Sequence, residues 1–179
     1  MEEARLRQTE HGLVPETGGW FVLNAKDAVW KQNEENGRYT RWEGEWGGEA
    51  AFHGLGINVA VLSPGQPACM YHGEDTQEDF LVLSGEAVLV VEGEERPLRA
   101  WDLVHCPPWT RHVIVGAGDG PCLVLSVGTR PTSDVLYPRD ETAALHGASV
   151  ERDTGSPAEA YAGTSKNVPI RYVDGDLPG

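Results

Sequence analysis

Positive charge and cysteine are both scarce in this sequence. Its 179 residues carry 14 Lys and Arg against 28 Asp and Glu, a formal net charge of −14. A field of that sign repels phosphate backbones and anionic bilayers, so no nucleic acid and no membrane is expected as a partner. No basic cluster offsets it. Only three cysteines occur, Cys69, Cys106 and Cys122, and none has C-x-x-C spacing. Such an odd, scattered set reads as reduced core or strand thiols of a cytoplasmic protein. Also missing are an apolar run long enough to span a bilayer and, in the opening MEEARLRQTEHG, the apolar stretch of a secretory leader. Internal repeats and low-complexity blocks are absent, and 179 residues suit one domain with a core of its own.

From residue 57 onward the chain is a series of short apolar runs between Gly, Pro and Asp turns, with no helix-length periodicity. Ile57–Leu62 stops at Ser63-Pro64-Gly65. Phe80–Leu83 and Ala87–Val91 flank Ser84-Gly85-Glu86, which reads as a tight hairpin. Glu92-Gly93-Glu94 turns into Arg96–Leu98, and Asp102–His105, His112–Val115 and Cys122–Val127 follow. Strands of this length and spacing predict an all-β fold whose antiparallel sheets close as a sandwich or jelly roll.

The flanks differ in texture. Residues 1–50 form a polar, Gly-rich arm carrying Trp20, Trp30, Trp42 and Trp46. Trp20–Leu23 and Arg38–Trp42 are strand candidates there, the second following the Asn36-Gly37 turn signal. The aromatics of such an arm either cover one face of a sheet or pair with a second subunit, and a homodimer is the expected assembly. Beyond Thr129 the β texture stops. Asp140–His146 and Ser156–Ala162 predict short helices, the second with Ser156 as N-cap and Pro157 at its first position. Asn167–Gly179 reads as an extended or fraying tail. The expected organisation is an arm over 1–50, a barrel over 51–130 and a C-terminal extension over 131–179.

Two stretches carry the chemistry. Pro64 to Gly85 (PGQPACMYHGEDTQEDFLVLSG) contains His72-x-Glu74-x3-Glu78-x6-Gly85, and Trp101 to His112 (WDLVHCPPWTRH) contains Pro107-x4-His112. These spacings resemble the two motifs of the cupin superfamily, G-x5-H-x-H-x3–4-E-x6-G and G-x5-P-x-G-x2-H-x3-N, over roughly residues 55 to 130. Glu74 stands where the family places its second histidine, and Gly116 replaces the terminal Asn. Trp101 and Trp109 stand where the family usually carries glycine. The resemblance implies a single cupin double-stranded β-helix, the jelly-roll barrel of the "cupin 2" type, with short C-terminal helices appended. It also implies a metal site built from His72, Glu74, Glu78 and His112.

Residue chemistry agrees with that implication. Residues two apart on a strand share a face, so His72 and Glu74 project together, while Glu78 lies beyond a turn and His112 enters from a distant strand. Two imidazoles with one or two carboxylates suit one divalent ion, Mn, Fe, Ni or Zn, and Glu in place of His shifts preference toward the harder Mn and Fe. Fewer than six protein ligands leave positions for water or substrate. His105 reads as a packing residue or a neighbour of the ligand set. Cys106 reads as a pocket-lining thiol or an inert buried one. Trp109 reads as loop packing or as a pocket-mouth indole stacking on a ring substrate. Glycines at positions 101 and 109 would supply positive φ, so the tryptophans imply either reshaped turns or indoles capping the barrel. The function expected is that of a metal-binding cupin acting on a small oxygenated molecule, dioxygenase- or isomerase-like. A ligand-binding cupin without catalysis and a structural dimer with a degenerate site are the alternatives.

Overall fold

Near-continuous apolar strands such as β8 and β11 below need cover on both faces, and the architecture supplies it. A computed structural model describes residues 2–42, 50–130 and 134–178; Trp46 lies outside them. In chain order the elements are β1 (Leu6–Gln8), β2 (Leu13–Pro15), β3 (Trp30–Gln32), β4 (Arg38–Arg41), β5 (Leu55–Leu62), β6 (Gly73–Glu74), β7 (Glu78–Ser84) and β8 (Glu86–Val91). Then come β9 (Glu94–Arg99), β10 (Leu103–Cys106), β11 (His112–Ala117), β12 (Cys122–Thr129), β13 (Val135–Leu136), α1 (Glu141–Leu145), α2 (Pro157–Ala160) and β14 (Val168–Ile170). Among the described residues no helix is long and apolar enough to cross a membrane.

A seven-stranded sheet in the order β10-β7-β12-β5-β4-β3-β14 packs against a three-stranded sheet in the order β11-β8-β9. Both contribute to one core of Leu62, Ala87, Leu89, Val104, Cys106, Ile114, Cys122 and Val124. Strand alternation explains the layering. In β11, Ile114 faces this inner core, whereas Val113 and Val115 face outward against Tyr71, Ala143 of α1 and Ala148. In β5 and β12, Val59, Val61 and Leu123 point to the opposite face, which Trp30 of the arm and Ile170, Tyr172 and Leu177 of the tail cover. The Arg38 guanidinium donates to both Asp176 carboxylate oxygens at 2.5 and 2.8 Å and pins the tail to β4. The fold is an all-β jelly roll with two short helices, and both helix caps form as the sequence implies. Asp140 Oδ1 accepts from the Ala143 amide and Ser156 Oγ from the Glu159 amide, with Pro157 in the first turn.

Three local expectations differ from the structure. Ser84-Gly85-Glu86 does not close a hairpin. β7 pairs with β10 and β12, and β8 with β9 and β11, so Gly85 carries the chain from one sheet to the other. Its φ is +76°, and a Cβ at this position would lie 2.7 Å from the Pro121 carbonyl oxygen, which leaves room for glycine only. Trp20–Leu23 is not a strand; only Trp20 bridges, to Glu3. The β texture does not end at Thr129, because β13 pairs with β6 and β14 with β3.

The turns at Trp101 and Trp109 keep the glycine conformation. Trp101 has φ +76° and Trp109 φ +70°. The Asp102 amide donates to the Arg99 carbonyl at 3.0 Å and the Thr110 amide to the Pro107 carbonyl at 3.1 Å, so each Trp occupies the third position of a type II-like turn. A left-handed backbone costs a side-chain-bearing residue about 1–2 kcal/mol, and Trp101 recovers little of it because its side chain is 74% exposed. Trp101→Gly is therefore expected to raise unfolding stability by about 0.5–1 kcal/mol, after the extra freedom of glycine in the unfolded chain is subtracted. Urea denaturation checks this, and a net loss would show that the indole makes a contact outweighing the turn strain.

Candidate metal centre

Three elements bring the candidate ligands to one point. β11 opens with His112, whose parity with Ile114 turns the imidazole into the space between the sheets. Residues 67–72 run antiparallel beside β11, bridging Pro67 to Val115 and His72 to His112. The His72 and His112 amides and carbonyls bond reciprocally at 2.8 and 3.2 Å, which sets the two imidazoles on one face with ring centroids 5.1 Å apart. Glu78 reaches them from the opposing sheet, at the first position of β7 and level with Gly128 of β12.

The tautomers are set by the backbone. His72 Nδ1 lies 2.9 Å from the Met70 carbonyl and His112 Nδ1 2.9 Å from the Thr110 carbonyl. A carbonyl only accepts, so each Nδ1 carries the proton and each Nε2 faces Glu78. His112 Nε2 stands 3.3 Å and His72 Nε2 3.5 Å from Glu78 Oε2, and that oxygen is buried. Ligand atoms bound to one ion at about 2.1 Å lie about 3.0–3.4 Å apart for right-angled to tetrahedral geometry. The donor set, its spacing and the convergence of both Nε2 atoms on Oε2 therefore fit a divalent ion. The carbonyls behind each Nδ1 are the outer partners that orient histidine ligands in metal sites.

Electrostatics couple the trio tightly. At Glu78 burial works against charge, but the two imidazoles outweigh it and hold the carboxyl at about 2. At His112 burial disfavours the imidazolium, and Cys106 and the Glu78 carboxylate override it and lift the pKa to about 10. His72 is raised well above its ordinary value against the same burial, by Cys69 and Glu78. Without an ion, protons therefore occupy the position that an ion would take.

Glu74, expected as a fourth ligand, does not join the trio. It lines the same cavity, but its Oε1 accepts from the Thr76 hydroxyl at 2.7 Å, and burial followed by the charge of Glu78 raises its pKa. The three residues expected at the pocket are placed elsewhere. His105 points outward from β10 and pairs with Asp79 at 2.6 Å. Cys106 is buried in the core behind His112. Trp109 is half exposed and touches the site through its backbone, donating to the Glu74 carbonyl at 2.7 Å. The cavity, about 790 Å³, is instead walled by Phe80, Ile114, Val124, Tyr137 and Tyr161, with Arg41 and Asn58 on its far side. Tyr137 stacks on His72 at 5.7 Å between centroids, and Tyr161 holds its hydroxyl 3.1 Å from the Met70 amide. Several of these come from the arm and the C-terminal extension, where no local pattern marks them.

The Cupin_2 family model, a cupin domain, matches residues 58–128. No curated protein matches the chain. Among solved structures, a protein from Acidithiobacillus ferrooxidans provisionally named a sugar phosphate isomerase is 26% identical over 49% of this chain and 57% of its own, with a TM-score of 0.45. This chain thus spans little more than half of that relative. The polyketide cyclase RemF from Streptomyces resistomycificus is 15% identical over 65% of this chain and 84% of its own, TM-score 0.55. A cupin 2 domain-containing protein from Halorhodospira halophila is 20% identical over 75% and 88%, TM-score 0.52. The matched segment holds both sheets' central strands together with His72, Glu78 and His112. Residues 58–128 are a cupin domain of the cupin 2 type.

Proposed function

We propose that the protein binds one divalent ion through His72, Glu78 and His112 and acts as a metal-dependent enzyme on a small oxygenated molecule held in the adjoining cavity. The observation that carries this reading is the buried Glu78 Oε2 converging with two imidazole Nε2 atoms at 3.3 and 3.5 Å. A carboxylate in that setting is costly unless positive charge meets it, which protonated imidazoles or a bound cation supply. When bound, a divalent ion supplies positive charge that polarises a substrate oxygen. The chain's own residues do the rest. Tyr137 and Phe80 brace the imidazoles by ring contacts at 5.7 and 5.1 Å, while Ile114 and Val124 give the cavity apolar wall and Tyr161 lines it beside Tyr137. Three protein ligands leave positions open toward the cavity, as catalysis requires.

Oxygen-electrode assays on the metal-loaded protein with a panel of small hydroxylated and keto compounds separate the reaction classes. Oxygen consumption marks a dioxygenase, and conversion without it an isomerase-like reaction. Binding without conversion of any compound would favour a ligand-binding module instead.

The purified protein is expected to take up close to one divalent ion per chain. His112→Ala and His72→Ala should each lower affinity at least a hundredfold, and Glu78→Gln at least tenfold by removing the site's charge. Glu74→Gln should change it less than tenfold, because that carboxylate is engaged with Thr76. Titration calorimetry reads all four, and wild-type affinity in His112→Ala would remove the site.

Proton linkage gives a second check. Both imidazoles have pKa values raised above the ordinary range, whereas Glu78 at about 2 is already ionised. An ion must therefore displace imidazole protons at neutral pH. Affinity is expected to rise with pH between 6 and 9, about tenfold per unit for each proton displaced, with no contribution from Glu78. Calorimetry in buffers of different ionisation enthalpy counts the protons released, and a pH-independent affinity would contradict the arrangement.

A further inference from the structure

Among the described residues, those that line the cavity and are also exposed are Pro157, Lys166 and Asn167, so the cavity meets solvent along the segment from α2 to β14. Both ends of that segment are anchored. At its start Ala160 and Tyr161 pack with Met70 and Tyr137, and the Tyr161 hydroxyl accepts from the Met70 amide at 3.1 Å. At its end β14 pairs with β3 from Val168 onward. Between the anchors none of residues 162–167 is buried, although 164–167 line the cavity. Ser165 ties this stretch across to the arm. Its amide donates to both Glu35 carboxylate oxygens at 3.1 Å and its hydroxyl to Glu35 Oε2 at 2.6 Å, while its Oγ accepts from the Glu34 amide at 2.8 Å.

The two sides of that contact are held unequally. Glu35 belongs to the turn between β3 and β4, where Asn33 and Asn36 are buried and bonded to each other at 3.1 Å. Asn36 is fixed further, donating to the Pro67 carbonyl at 3.3 Å and accepting at its own carbonyl from the Gln66 side chain at 2.9 Å. On the other side, Gly163 has φ +92° with open space around it, a position where the chain can pivot without a clash. Exposed hydrogen bonds with no buried contact beneath them open far more often than a packed sheet does.

From this we infer that residues 162–167 form a flap at the cavity's opening, pivoting at Gly163 and latched by Ser165 to Glu35, and that release of the latch admits small molecules to the cavity. The flap names the way into the site of the proposed function but does not rest on the metal-binding reading. The moving part is short, because Tyr161 and Val168 stay anchored on either side of it.

The chain carries its own reporter. Cys69 is half-buried and lines the cavity, whereas Cys106 and Cys122 are buried in the core. The test treats the full chain, as purified, with N-ethylmaleimide under native conditions and follows each cysteine by mass spectrometry of its peptide. Ser165→Ala and Glu35→Ala are each expected to raise the Cys69 labelling rate about fivefold or more. The double variant should label no faster than the quicker single one, because both changes release one latch. Ser165→Thr, which keeps the hydroxyl, should stay within twofold of the wild type. Cys106, Cys122 and the melting temperature should not respond to any of the four. A Cys69 rate within twofold of wild type in both alanine variants would overturn the flap. So would Cys106 and Cys122 accelerating in parallel with Cys69, which would mark loosening of the barrel instead. Failure of the same protein to take up Mn²⁺, with the Cys69 response intact, would count against the metal reading and leave the flap in place.

Discussion

A buried carboxylate oxygen with two imidazole nitrogens aimed at it is the constraint on which the rest depends. Glu78 Oε2 is buried, and its partners are the His112 and His72 imidazoles at 3.3 and 3.5 Å. Removing one partner from a buried charge of this kind typically costs about 3–5 kcal/mol, so the trio stands or falls together. Each imidazole is aimed by a backbone carbonyl, and those carbonyls belong to the paired segments that join His72 to His112. The reciprocal backbone bonds between the two histidines are thus part of the site. A change that slips residues 67–72 along β11 by one position would turn His72 to the other face.

The sheets serve that geometry by bringing distant strands to one place. Glu78 can meet the histidines only because the chain crosses between sheets at Gly85 and β11 returns on the opposite side. The C-terminal extension then completes what the barrel alone leaves open. Tyr137 braces His72 and the Tyr161 hydroxyl accepts from the Met70 amide, so the cavity draws on residues after the barrel as well as within it.

Much of the fold was legible because its signals are local. Glu78-x6-Gly85 and Pro107-x4-His112 record one strand and one turn each, and both survive in the structure. The same locality explains the misses. Gly85 announces a turn with positive φ, but no local signal says which sheet the next strand will join. β13, with two residues, is too short to show alternation, and β14 carries Pro169 at the sheet's edge. Glu74 shares strand parity with His72, yet its strand is two residues long and Thr76 takes its carboxylate. Trp101 and Trp109 illustrate the converse: turn geometry was strong enough to be kept although the preferred residue was lost. Arg41 and Asn58 carry no motif, and only the strand register aligns them with Phe80.

The most direct test of the account is a crystal structure of the Mn²⁺- or Zn²⁺-soaked protein with anomalous data collected at the metal edge. The account predicts a single strong anomalous peak per chain, within bonding distance of His72 Nε2, His112 Nε2 and Glu78, with both Nδ1 atoms still directed at the Met70 and Thr110 carbonyls. A peak elsewhere on the chain, or none between those three residues at saturating metal, would contradict it.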